Sequence, residues 1–421
     1  MMDQRFLALL LACSAAAAPA WAERAAPPGE DADAAVAGAE ESKLSLSGFG
    51  TLGLARTNSD DVQFVRYNQA EGVNSQYGSG LDSNLGLQAT LKASPAVSAT
   101  VQLLTRKYTS AHYSTDLTWA FVKLKLRDDL SLRLGRVVVP SFMTSDYQNV
   151  GYANTMMRPP IEMYGLAAIE NVDGADLSYQ RSFGDSTVTA QLAGGVARGK
   201  LFVAGGGGSI ATYRAPLYTL NLALENGPLM LRFSRLRADL ESTDTAPLNV
   251  IGARLEQAGF AQLARDMTLV GGKKIDFTSL GMTLDWRQLV LQSEYGRRRA
   301  AEPVYIPDND SWYLMAGYRF GKVLPYYSHA AVRQAGRSIT LPDNFPRRGS
   351  LARAVDMGFL TAGRQRSDLV GVRWNFAKSR ALKVQLDRVH PTMKSGNMIS
   401  GPADGLKHPV TVLGFAFDFV F

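Results

Sequence analysis

The sequence predicts an all-β chain: a transmembrane, antiparallel, up-and-down β-barrel of about 16 strands. Three observations carry that expectation. From Leu44 to Phe421, apolar residues recur at every second position over most of the chain, the period of a strand with two unlike faces. Short turns alternate with longer connections along the same stretch, as they do in a barrel whose two rims differ. After residue 22 no run approaches the ~18 consecutive apolar residues that a spanning helix needs. A soluble β-sandwich or solenoid is the competing architecture, but strands of 10 to 13 residues are long for a sandwich. In lipid an open sheet edge has no water to bond, so the sheet must close.

The chain begins with Arg5, an apolar run from Phe6 to Ala18 and the small-residue pattern Ala20-Trp21-Ala22, so residues 1–22 are expected to be a signal peptide. Leu10-Leu11-Ala12-Cys13 offers a second reading, a lipobox that leaves Cys13 acylated. Cleavage after Ala22 removes the single cysteine of the sequence, and disulfides and thiolate metal sites with it. Residues 23–42 set six acids against Arg24 without apolar periodicity, the composition of a flexible, acidic periplasmic tail. The barrel is expected over 43–421.

Leu44 to Arg56 is the first strand. In the second, Leu81, Ser83, Leu85, Leu87, Ala89, Leu91 and Ala93 share one face; Ser94-Pro95-Ala96 turns the chain into Val97, Ala99, Val101 and Leu103. Further hairpins turn at Asp128-Asp129, Gly184-Asp185, Asn226-Gly227-Pro228, Arg287-Gln288, Gly321-Lys322 and Lys378 to Arg380. Most of these turns hold the Gly, Asn or Asp that tight turns favour. Leu413, Phe415, Phe417, Phe419 and Phe421 end the series; one opening strand, seven hairpins and one final strand make 16. Near the short turns the apolar phase carries Tyr179, Trp286, Phe320, Tyr326 and Trp374, the girdle expected at one membrane interface. Val250 to Met267 has helical spacing and is expected as a short helix in an outer loop.

Nine bases fall on the polar phase: Arg106, Lys123, Lys125, Arg133, Arg232, Arg319, Arg333, Arg373 and Lys383. A charge facing lipid near the midplane costs ~2–4 kcal/mol, so they are expected to line a water-filled lumen. The leader is neutral and the tail carries −5, so the net charge of +7 leaves +12 on residues 43–421. A basic lining lowers the barrier for anions. Bases on the outer rim, such as Lys273, Lys274, Arg347, Arg348 and Arg353, are the other account of this charge: they meet lipopolysaccharide phosphates.

Enzyme and cofactor motifs are sparse. The four histidines, His112, His329, His390 and His408, sit in no zinc-protease helix motif, and no nucleophile-elbow glycine pattern occurs. Gly205 to Gly208 lacks the Gly-Lys-Ser/Thr of a phosphate cradle. Asp308-Asn309-Asp310 fits a loop calcium or, more simply, an Asx-rich turn. A hydrolase built on a barrel would need a pair such as Ser293 and His329, which nothing in their spacing singles out.

Ser47-Gly48-Phe49-Gly50, Leu85-Gly86-Leu87-Gln88, and Leu132-Arg133-Leu134-Gly135-Arg136 running to Pro140, with the strand count and the terminal Phe421, carry a resemblance. The chain resembles the Gram-negative outer-membrane porins, in particular the 16-stranded trimeric ones. The resemblance implies a homotrimeric channel in outer-membrane lipid and lipopolysaccharide, passing small hydrophilic solutes and ions, with no enzymatic activity and no cofactor. It implies that Phe417, Phe419 and Phe421 form the sorting signal read by the barrel assembly machinery. It further implies that 138–171 folds inward as a constriction loop whose acidic side is Asp146, Glu162 and Glu170, facing Arg106, Lys123 and Arg133; solvated loop carboxylates are the alternative. A channel selective for phosphate or organic anions, a surface adhesin or receptor using the loops 56–80, 240–276 and 336–363, and an outer-membrane hydrolase stay open as other functions. Nucleic acid is not an expected partner.

Overall fold

The computed structural model describes residues 43–421, apart from 168, 204–208, 243–245, 267–272, 301–305, 307, 336–340, 347–348, 353–354, 356–363, 393–396, 400 and 402–405. The signal segment, the acidic tail, Cys13, Gly205 to Gly208, Arg347, Arg348 and Arg353 lie outside the described residues.

Hairpin pairing builds one sheet of 16 strands. The first eight are β1 Leu44–Thr57, β2 Asn84–Ser94, β3 Val97–Lys107, β4 Tyr113–Arg127, β5 Leu130–Val138, β6 Asn171–Phe183, β7 Ser186–Val203 and β8 Ser209–Asn226. The rest are β9 Leu229–Ser242, β10 Lys273–Trp286, β11 Leu289–Ala300, β12 Asn309–Tyr318, β13 Val323–Gln334, β14 Gln365–Ala377, β15 Arg380–Pro391 and β16 Val410–Val420. β1 pairs antiparallel with β16, from Phe49 opposite Val420 to Thr57 opposite Val412, which closes the barrel. Each anticipated turn joins the strands expected of it. β2 begins at Asn84, so Leu81 and Ser83 lie before it.

The two faces separate as the alternation requires. Leu52, Leu54, Leu85, Leu87, Leu192, Leu280, Val370 and Phe415 point outward and are exposed, a side-chain set suited to hydrocarbon. Gln88, Gln102 and Thr118 point inward and bond one another, Gln102 donating to Gln88 at 3.0 Å and Thr118 to Gln102 at 2.8 Å. Trp286, Phe320 and Trp374 are exposed on the outer face near the short turns, as expected. Tyr326 is not: it is buried inside the barrel and donates to Gln385 at 2.9 Å. On β13 both phases are apolar, and the outward one is Val323, Pro325 and Tyr327, not Leu324 and Tyr326.

At the end of the outer face away from the short turns, charge replaces hydrocarbon. Arg237 and Arg235 pair with Asp276 at 2.8 and 3.1 Å, and Arg299 and Arg333 with Asp310 at 2.7 and 3.6 Å. Because Asp276 also lies opposite Arg299 in register, the row runs unbroken from β9 to β13. The cost of an outward charge falls to ~0–1 kcal/mol only near an interface, so this row marks the edge of the hydrocarbon.

On the inner face of β5, β6 and β7, Gly135, Gly174 and Gly195 stand opposite one another. Gly135 has φ 130°, and a Cβ there would run into the Ala120 carbonyl oxygen, so only glycine fits. Among the described residues no helix is long and apolar enough to cross a membrane. The connection after β9 holds two short helices, α2 Ala246–Gln257 and α3 Ala261–Asp266, the first beginning four residues earlier than its spacing suggested. Their Ile251, Leu255, Leu263 and Ala264 join the internal apolar core.

Candidate functional site: the lumen and its filling

The segment between β5 and β6, which carries the short helix α1 Ile161–Tyr164, lies inside the barrel. Its composition explains why. Phe142, Met143, Met156, Met157, Met163, Tyr164 and Leu166 are all buried, and such side chains stabilise by ~1.5–3 kcal/mol each when withdrawn from water. Phe142 stacks on Tyr164 at 4.6 Å and meets the inward Phe277 edge-on at 5.0 Å. Tyr313, Met315, Leu324, Tyr326 and Leu369 from β12 to β14 complete this core. The lumen beside β9 to β14 is therefore packed with apolar side chains.

Polar anchors fix the segment on both flanks. On one side Ser234 donates to the Pro140 carbonyl at 2.9 Å, Ser279 to the Ser141 carbonyl at 2.7 Å, and the Met143 amide to Glu294 at 2.9 Å. On the other, Lys383 donates to the carbonyls of Gly151 and Asn154 at 2.7 and 2.6 Å and pairs with Asp418 at 3.0 Å. Between them Arg158 clamps two walls. It pairs with Asp82 at 2.7 Å and with Asp387 on β15 at 2.8 Å, the three side chains only 5%, 2% and 7% exposed. Burial pushes the Asp82 carboxyl up, but Arg158, joined by Arg66 and Lys383, outweighs that and holds it below the usual carboxylate range.

The loop after β1 crosses the mouth above. Val62, Phe64, Val65 and Val73 are buried, and Asn68 reaches β7, donating to the Lys200 carbonyl at 2.9 Å and accepting from the Phe202 amide at 2.7 Å. Expected as an outer-surface loop, this stretch instead folds down onto the barrel.

The expected acids part company. Glu170 pairs with Arg106 at 2.6 Å, and Asp146, half exposed, lies 3.4 Å from Arg232. Glu162 does not face open lumen: it is buried against the wall, bonded to Gln365 at 2.7 Å and to Ser367. Its role is to fasten α1 to β14.

Of the expected bases, Arg106, Lys123, Arg133, Arg232, Arg373 and Lys383 point inward. Arg232, Arg373 and Lys383 are buried beneath the inner segment as its anchors: Arg232 donates to the Met143 carbonyl at 3.2 Å and Arg373 to the Asn154 carbonyl at 3.0 Å. Arg133 is partly exposed and pairs with the buried Asp176 at 2.9 Å, while Lys123 is exposed. Lys125 and Arg319 sit at the short-turn rim, paired with Asp128 at 2.7 Å and Asp285 at 2.9 Å. Arg333 lies outside the barrel, its side chain 79% exposed on the outward phase; the misread phase of β13 reversed its side. Sequence reasoning passed over Arg66 and Arg158 because they lie in connections, where no periodicity marks direction.

Ser293 donates to the Tyr313 carbonyl at 2.8 Å, His329 contacts Asp368 at 2.8 Å, and Leu314 stands between them in register. They form no nucleophile–base pair. Asp308 accepts from the Ala300 amide at 2.8 Å, and Asp310 is taken up by Arg299. Phe417, Phe419 and Phe421 stack in series on the outer face, with ring centres 5.7 and 6.2 Å apart.

No known protein-family profile matches the chain, and no curated protein is similar to it in sequence. Solved structures are. The anion-selective porin from Comamonas acidovorans superposes with a TM-score of 0.52 at 16% identity, over 90% of this chain and 99% of that one. The barrel is that of the 16-stranded outer-membrane porins. Salmonella typhi OmpF in complex with daunomycin gives 0.52 at 13% identity, over 89% and 97% of the two chains. OmpT of Vibrio cholerae, solved in a trimer form, gives 0.51 at 13%, over 90% and 99%.

Proposed function

We propose that this porin-fold chain is an outer-membrane channel for passive diffusion of small hydrophilic solutes and ions, with a mild preference for anions. One observation carries the reading: the inner segment is fastened to β8–β11 and β14–β16, while the lumen face of β4 to β7, apolar at Val137, Val172 and Ala197, also carries Lys123, Arg133, Asp176 and the glycine row. A solute passing there meets Lys123 and the Arg133–Asp176 pair, and Lys123 has no ion pair among the described residues to cancel it. A fixed cation in a narrow water-filled path lowers the barrier for anions and raises it for cations. Planar bilayers under a KCl gradient test this. The reversal potential is expected on the anion side, and Lys123→Glu moves it towards cations; cation preference in the unmodified protein overturns the anion reading.

The likeness to an outer-membrane protein solved in a trimer form supports a homotrimer, expected as an SDS-resistant band that heat dissociates. The aromatic ladder ending at Phe421 fits the sorting signal read by the barrel assembly machinery. The charged row from Arg237 to Arg333, at the level where hydrocarbon ends, supports contact with lipopolysaccharide phosphates and replaces the luminal role expected of Arg333.

A further inference from the structure

Between the loop over the mouth and the inner segment lies a cavity of about 60 Å³, room for roughly four waters or one small oxyanion. Arg66 from the loop, Arg106 from β3, Arg158 from the inner segment and Lys107 line it, with Glu170 as the only lining carboxylate among the described residues. The carboxylates nearest Arg66 are already engaged: Asp82 with Arg158, and Glu170 with Arg106. Lys107 is likewise paired, with Glu71 at 2.6 Å. Arg66 has no ion pair among the described residues. The Nε of Arg106 is also buried without a hydrogen-bond partner, its guanidinium stacked 4.0 Å above the Tyr108 ring.

A half-buried cation among other cations is costly, and a bound anion removes both the repulsion and the lost solvation. Burial pulls the Arg66 guanidinium below its ordinary range; Asp82 and Glu170 oppose this, and Arg106 and Arg158 add to it. We propose that this cavity is a saturable binding site for a small oxyanion, a phosphate or a carboxylate, with Arg66 as its principal cation and Arg106 Nε as a second donor. The site rests on the anion-channel reading and deepens it: permeating oxyanions pause there, whereas chloride, without a second oxygen to engage both groups, passes.

The test uses the full barrel in planar bilayers at fixed KCl, titrated with sodium phosphate and, in a separate arm, sodium acetate. Chloride current is expected to fall and saturate with at least one of them, which also identifies the oxyanion. Arg66→Gln, which removes a charge-assisted contact, is expected to raise the half-effect concentration by about ten- to a hundredfold, and Arg66→Lys to restore part of it. Heat-modifiable migration on gels confirms that each variant is folded. Hydrogen exchange of residues 64–70 in detergent, with and without phosphate or acetate, gives a readout that needs no current, with protection expected in the unmodified protein and not in Arg66→Gln. Anion selectivity without saturation or protection overturns the site and leaves the channel. A protein that does not conduct overturns the channel reading, and the exchange experiment then decides the site alone.

Discussion

Arg158→Met tests the anchoring of the inner segment most directly. In the folded protein the guanidinium makes three bonds across the lumen, two to Asp82 at 2.9 and 2.7 Å and one to Asp387 at 2.8 Å. Methionine keeps much of the aliphatic volume and removes the charge, leaving two buried carboxylates facing each other without the guanidinium that bonds them both. Breaking a buried pair from one side costs about 3–5 kcal/mol. If that loss falls on local release of the segment, its opening equilibrium rises by roughly two to three and a half orders of magnitude. Hydrogen exchange over residues 155–166 reads it, since the Met157 amide is held by Gln385 at 3.1 Å and exchanges when the segment lifts. A triple variant with Asp82→Asn and Asp387→Asn added is expected to regain much of the protection, because no charge is then stranded. Exchange within about threefold of the unmodified protein, well under 1 kcal/mol, would show that the apolar core alone holds the segment and would refute the clamp.

Gly135→Val is expected to cost about 2–4 kcal/mol and lower the yield of heat-modifiable barrel, since it places a Cβ against the Ala120 carbonyl at a φ reserved for glycine; normal folding would show that β4 and β5 can separate locally. Lys125→Ala, which removes a pair made in open solvent at the rim, is expected to leave thermal unfolding within experimental error, and a clear drop would mean that the rim pairs hold the hairpins.

Strand number, turns and closure were legible because lipid and water impose opposite demands on alternate residues, and a chain that satisfies both repeats with period 2. The pattern failed where the inner face is not wet. On β13 the lumen side packs against the inner segment, so Leu324 and Tyr326 are apolar for a reason unrelated to lipid, and the phase inverted for Tyr326 and Arg333 alike. The same packing explains Glu162: a carboxylate in a loop reads as solvated, yet a methionine-rich segment carries it into the wall. Met143, Met156, Met157 and Met163 did announce in sequence that the segment packs against something. Where the anchors lie was not legible, because Lys383 with Gly151 and Arg158 with Asp387 join residues 232 and 229 positions apart, and no local rule connects them.

Those separations also bear on the order of assembly. The inner segment lies between β5 and β6, but its partners on β14, β15 and β16 exist only once the C-terminal third of the chain is in place, and long-range contacts of this kind form late. A nearly finished barrel therefore has one flank of its inner segment, on β9 to β11, in place before the other. At that stage the passage is wider than in the mature protein, so cells that stall at the last hairpin would be expected to admit larger solutes than cells with the same number of completed barrels.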